Sequence, residues 1–211
     1  MLRHQLLDTS RGRIVTLLQR GALTVDEIAS ALTLTANAVR AQLTGMERDG
    51  VVTRVGRRPG TTRPFHVFEL TPEAEQLLSR AYVPLLMQLV QVFSNALPAE
   101  QVDTLMREAG KGLANELPSP KRRSGSLQAR VTAASDLLNN ELGAVTYVEM
   151  NGGFVIRGVG CPLAVLTGKH PAVCRAMESL LTELVGVEVQ ECCERDARPR
   201  CCFEIKGRDA A

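Results

Sequence analysis

The six cysteines of this 211-residue chain all fall between Cys161 and Cys202, and none precedes them. A chain of this length buries enough apolar surface to fold without disulfide staples. The thiols are therefore not a scaffold. They mark one C-terminal module with its own chemistry, joined to a cysteine-free part with a different task. About one domain per ~150 residues leaves room for two such parts.

Strand periodicity brings several of these thiols together. With side chains alternating, Val187 and Val189 point with Cys193, while Phe203 and Ile205 point with Cys201. Cys193 and Cys201 thus share the apolar face of a final hairpin, and Cys192 and Cys202 face the other side. Cys174 lies in the first turn of a helix read over 171–185, where the dipole and free amides favour a thiolate. Cys161 follows the preceding strand. Cys161, Cys174, Cys193 and Cys201 are accordingly the candidate metal ligands. Four thiolates suit zinc or an iron–sulfur cluster. Twelve residues separate Cys161 from Cys174 and twenty-six separate Cys174 from Cys201, and no C-x-x-C knuckle occurs. The spacing alone therefore marks a soft-metal or redox site without choosing the metal. His170, just before Pro171, reads as a surface or capping residue.

The N-terminal third has a different pattern. Ser10 is placed to cap a first helix ending at Gly21, and Thr24 with Glu27 forms a capping box for a second. After the turn Leu32-Thr33-Leu34, Thr35 caps a third helix with Val39, Leu43 and Met46 on its buried stripe and Gly50 as its stop. Val51 to Val55 and Phe65 to Leu70 then flank a loop rich in Gly, Pro and Arg, which reads as a hairpin. Three short helices and a basic hairpin make a winged helix-turn-helix. Thr35, Asn37, Arg40 and Thr44 lie on the open side of the third helix, where a major-groove reader presents hydrogen-bonding groups. Arg40 suits a guanine edge and Asn37 an adenine edge. No acid occurs between Asp49 and Glu69, but Arg54, Arg57, Arg58 and Arg63 do. Arg57, Arg58 and Arg63 are assigned to phosphate or the minor groove.

Net charge is +2, yet it is unevenly spread: residues 1–70 carry ten Arg against six acids, and residues 71–117 and 131–211 are net acidic. Residues 118–126, PSPKRRSGS, hold nothing a core could bury and read as the linker. Residues 71–117 begin with a strong helix start, Thr71-Pro72. Their apolar positions then recur three or four apart from Ala74 to Ala96, a stripe suited to a partner helix and hence to a homodimer. Pro84 predicts a break near Tyr82 or Val83. The organisation expected is residues 1–70 winged helix-turn-helix, 71–117 helical dimerisation segment, 118–126 linker and 127–211 sensor domain. The fold class is α+β, with α-β-β-α-β-β order in the sensor domain.

The segments LTVDEIASALTLTANAVRAQLTGMERDGVV and RPFHVFELT resemble the winged helix of bacterial DeoR/ArsR-like regulators. Within that group the chain is most similar to the repressors of the Suf iron–sulfur assembly operon. Shared positions include Asn37-Ala38-Val39-Arg40, Gly50, Arg63-Pro64 and, in the last third, Cys161-Pro162 and Cys174. Thr62 stands where that group usually has a wing glycine. The resemblance implies a homodimeric repressor of cluster-assembly genes, bound to an inverted-repeat operator in double-stranded DNA. It also implies a 4Fe–4S or 2Fe–2S cluster on three firm cysteines, with Cys201 or Cys202 as the third and Cys193 as a fourth. A zinc or thiol-redox sensor is the alternative, and a thiol oxidoreductase or electron carrier a remote one.

Only seven residues are Phe or Tyr and none is Trp, which argues against single-strand binding by base stacking. The N-terminus lacks a signal-type apolar stretch, and no window reaches the ~20 apolar residues of a membrane helix. A cytoplasmic protein without a membrane partner is expected. His4, His66 and His170 have no acid–base setting, so no enzymatic activity is expected.

Overall fold

The computed structural model describes residues 8–59, 64–118, 125–150 and 152–207. Its compact units divide between Tyr82 and Val83.

The first unit contains helices α1 (Ser10–Leu18), α2 (Val25–Leu32), α3 (Ala36–Arg48) and α4 (Pro72–Leu78), and strands β1 (Leu23–Thr24), β2 (Val52–Arg58) and β3 (Phe65–Leu70). Thr9, not Ser10, caps α1, its hydroxyl accepting from the Gly12 amide at 3.1 Å. Thr24 and Glu27 satisfy each other's backbone amides at the start of α2. Thr33 closes α2 in the left-handed region at φ 56°. That reversal lets Thr35 cap α3 directly, accepting from the Ala38 amide. Ile14, Ile28, Val39, Leu43 and Met46 pack on Val52, Phe68 and Leu70. The antiparallel sheet has the order β1-β3-β2, with a bulge between Arg54 and Gly56. Strand β2 extends further than expected. It pairs Arg57 with His66 and Arg58 with Phe65, so these two arginines sit on the ladder and not in the loop.

The second unit contains α5 (Tyr82–Ala96, from Val83 onward), α6 (Ala99–Glu116), α7 (Leu127–Glu141), β4 (Thr146–Met150), β5 (Phe154–Gly158), α8 (Ala164–Thr167), a 3-10 turn at Pro171–Val173, α9 (Cys174–Val185), β6 (Val189–Glu191) and β7 (Cys202–Ile205). The chain leaves helix between Leu78 and Tyr82. Pro84 then falls in the first turn of α5, where a missing N–H has no partner to lose. The antiparallel sheet has the order β4-β5-β7-β6. Helix α9 is central: Leu180, Leu181 and Val185 are fully buried with Val131 and Leu138 of α7, Ile156 of β5 and Phe203 of β7.

Composition places a boundary at 118–126, whereas packing unites its two sides. Leu113, Ala114 and Leu117 from α6 belong to the same core as α7 and the sheet. The middle segment 71–117 is thus shared between the units, α4 with the first and α5 and α6 with the second. Residues 119–124, with Lys121, Arg122 and Arg123, lie outside the described residues. Gly110 explains how closely α6 lies against α9. A Cβ there would overlap the Ala176 carbonyl and crowd the Leu180 amide. Among the described residues, no single helix is long and apolar enough to cross a membrane.

Candidate metal centre and nucleic-acid interface

Helix α3 presents Asn37, Arg40 and Thr44 to solvent while Val39, Leu43 and Met46 are buried. Arg40 donates to the Asn37 side-chain oxygen at 2.9 Å, and the Thr44 hydroxyl donates to the Arg40 carbonyl at 2.9 Å. Arg40 and Asn37 therefore engage each other on the exposed face of α3. Arg40, Leu43 and Thr44 form one wall of a cleft of about 340 Å³, with Arg54, His66 and Phe68 of the hairpin opposite. Arg54 pairs with Glu47 at 2.8 Å and lies over the Phe68 ring at 5.6 Å. Arg54 belongs to the basic stretch read from sequence, whereas nothing in the sequence placed His66 beside α3. Their strand register, set by the bulge, is what turns them toward α3.

Arg57 is exposed on β2. Arg58 is engaged at home, donating to Glu27 at 2.6 Å and to the Ala22 carbonyl at 2.8 Å. The Thr24 amide, joined by Arg58, holds the Glu27 carboxyl below its ordinary value. Arg63 lies outside the described residues.

The four candidate ligands meet at the start of α9. Cys174 opens that helix and Cys161 follows β5. Cys193 follows β6 and Cys201 precedes β7. All four are free thiols. Their thiols influence one another in sequence, Cys174 beside Cys193, Cys193 beside Cys201, and Cys201 beside Cys161. Thr167 closes the far end, 3.9 Å from Cys161 Sγ. Gly158 lets β5 come close enough to bring Cys201 in. A Cβ at Gly158 would stand 3.1 Å from Cys201 Cβ and crowd the Gly160 carbonyl.

The acidic thiol is not the expected one. Cys174, at the helix start, is pushed above its ordinary value by its hydrogen bond with Cys193 and by burial. Cys161 is instead lowered to about 7, because Cys201 donates to it and the Leu163 amide and Thr167 hydroxyl add to this. Donors pointing at the sulfur outweigh a helix dipole when the competing thiol is buried among like groups. Cys201, donating to Cys161, rises to about 12. Cys193 receives from Cys174, which lowers it, but its contact with Cys201 and burial lift it to about 12.

Glu191 also belongs to this cluster and carried no sequence signal. Its ligand oxygen lies within 4.8 Å of the Cys174 and Cys193 sulfurs, and theirs of each other. It accepts from the Cys193 amide at 2.7 Å and from Arg195 at 2.5 Å. His170 is buried, unlike the surface position expected of it. The two remaining cysteines, Cys192 and Cys202, form a disulfide.

The chain matches the family model of the DprA winged helix domain over residues 4–56. No curated protein matches it. Among solved structures it is similar to a double mutant of Lactococcus lactis ZitR in apo form, with 17% identity, 55% of this chain and 86% of that chain covered, and a TM-score of 0.29. It is also similar to a mutant of S. aureus MepR bound to an oligodeoxyribonucleotide, with 23% identity, 54% and 84% covered, and a TM-score of 0.29. Three helices, a three-stranded sheet and the family match together make the N-terminal unit a winged helix domain.

Proposed function

We propose that this protein is a homodimeric transcriptional repressor whose operator binding is controlled by an iron–sulfur cluster on Cys161, Cys174, Cys193 and Cys201. The observation that carries the reading is the convergence of four free thiols from separate elements in a chain that also holds a winged helix domain. The donor set fits such a group: four sulfurs, one already acidic, meet at one helix start. When bound, the cluster would supply a redox- and iron-sensitive crosslink between the start of α9, the segment after β5 and the turn end of the last hairpin. Control of DNA binding then requires that the cluster favour the DNA-competent state. The similarity to Suf-operon repressors selects iron–sulfur and cluster-assembly genes as targets.

The dimer is assigned to α5, which leaves Leu85, Leu86, Leu89, Val92 and Phe93 exposed while Val90 packs inward. A contiguous apolar helix face of this kind marks an interaction site. Two-fold pairing would also supply the second half-site of an inverted repeat. A zinc site is the second reading, favoured by Cys174, Cys193 and Glu191 lying within single-ion dimensions.

Anaerobic purification with visible absorbance and assays for iron, sulfide and zinc separates the two. Brown protein with iron and sulfide is expected, whereas colourless protein holding zinc overturns the cluster. On a specific operator, Arg40→Ala should cost about 1–3 kcal/mol, measured by fluorescence anisotropy at fixed salt. Unchanged affinity would remove Arg40 from the interface.

A further inference from the structure

A cavity of about 330 Å³ lies beside the Cys192–Cys202 disulfide, and Cys202 forms part of its wall. Three guanidinium groups line it, from Arg157, Arg198 and Arg200, against one carboxylate, Glu194. Arg157 is held by Glu149 at 2.7 Å and donates to Cys202 Sγ at 3.5 Å. Arg198 and Arg200 make no ion pair with a carboxylate among the described residues. Their backbone is nevertheless ordered: Arg200 and Glu194 exchange two backbone hydrogen bonds, and the Arg198 amide donates to Asp196. The result is a small, cationic recess with a disulfide-bonded cysteine, Cys202, in its wall.

We propose that this recess binds an anionic low-molecular-weight thiol and directs it onto the Cys192–Cys202 disulfide. The carboxylates of the thiol pair with Arg198 and Arg200, and Arg157 draws its sulfur toward Cys202. A first thiolate attacks Cys202 Sγ, forming a mixed disulfide and breaking the Cys192–Cys202 bond. Cys192, the less buried of the two, leaves as a thiolate and takes up a proton. A second thiol attacks the mixed disulfide and releases the low-molecular-weight disulfide, and Cys202 leaves as a thiolate and is protonated. Two small thiols are oxidised and one protein disulfide is reduced. The disulfide borders the four-thiol cluster, because the Cys202 amide donates to Cys193 Sγ at 3.3 Å. The proposal stands on the cavity and holds whether the cluster takes iron or zinc.

The test compares two reductants on the full-length protein, glutathione and neutral 2-mercaptoethanol. Reduction is followed by alkylation and mass measurement of the peptides holding Cys192 and Cys202. At low salt, the glutathione-to-mercaptoethanol rate ratio should exceed that on a small neutral disulfide by about 10-fold, as expected of a charge-focusing cleft. The exposed double variant Arg198→Gln/Arg200→Gln should bring it within about twofold of that reference, with the mercaptoethanol rate unchanged. A wild-type ratio equal to the reference overturns the proposal. So does an excess that survives the double substitution, or finding Cys192 and Cys202 unpaired after aerobic purification.

Discussion

Gly110→Val should destabilise the C-terminal unit by about 3 kcal/mol, the upper end of what overpacking costs. The added atoms have nowhere to go. They meet the Ala176 carbonyl and the Leu180 amide, which are backbone atoms of a helix whose other side, with Leu181 and Val185, is fully buried. A flexible side chain could turn aside, but a central helix can only be pushed away. At about 2–4 °C per kcal/mol for a chain of this size, the midpoint of thermal unfolding should fall by roughly 6–12 °C. Gly112→Ala is the contrast. No atom lies within 4 Å of the site, and alanine is the better helix former by about 0.5–1 kcal/mol. Circular dichroism melts of both variants read the difference. A Gly110→Val protein that melts with the wild type would mean that α6 and α9 do not touch there.

Glu178→Ala should have the second-largest effect. This carboxylate is buried, and it accepts from Arg107 at 2.5 Å, Arg175 at 2.8 Å and the Glu191 amide at 3.0 Å. Breaking a fully buried pair costs about 3–5 kcal/mol. Both arginines are partly exposed and recover some hydration, so about 2–3 kcal/mol is expected. Burial alone would raise the carboxyl, but the Glu191 amide and the two guanidinium groups outweigh it and hold it below its ordinary value. Its contribution is therefore complete above the unfolded carboxylate value, about 4.3, and is lost as pH falls through the lower folded value. Urea midpoints measured from pH 6 to pH 3 should decline in the wild type. They should decline less in Glu178→Gln, which has no charge to lose. Equal slopes would remove Glu178 from the acid response. Because Glu191 in turn accepts from the Cys193 amide, the Ala variant should also make Cys193 react faster with an alkylating reagent.

Local signals in the sequence carried most of the element boundaries. Thr24 with Glu27, Thr35, Thr71-Pro72 and Ser126 all start helices as their side-chain chemistry dictates, and Gly186 ends α9 in the left-handed region. The face of α3 followed from its 3.6-residue period. The strand period placed Cys193 and Cys201 on one face, but burial does not set them apart, since Cys202 is as buried as Cys201 and Cys192 is half-buried like Cys193. Pairing and packing were harder to see. Nothing local shows that a two-residue strand, Leu23–Thr24, pairs with β3, or that β2 carries Arg57 and Arg58 on its ladder. The short helix Ala164–Thr167 lacks a capping side chain and left no signature. Glu191 joins the cluster through the fold that brings β6 beside Cys174, and His170 is buried where sequence read a surface or capping residue. Pro84 marked a helix break near Tyr82 or Val83, but not that the two compact units divide there. Composition marks where a chain has little to bury, not which helices share a core.

The sharing of one core by α6 and α9 bears on how this protein can be taken apart. A C-terminal fragment begun at Leu127, just past the basic Pro- and Ser-rich stretch, would lack Leu113, Ala114 and Leu117, and the surfaces of α7 and α9 that they cover would face water. The transferable part starts no later than α6, and it carries with it the helix whose Gly110 lies against Ala176, two residues along α9 from Cys174. Anyone grafting the thiols onto another domain would thus move a longer segment than the cysteines mark out. The graft point belongs in the short irregular stretch Ser79–Ala81, between α4 and α5, where few side chains need replacing.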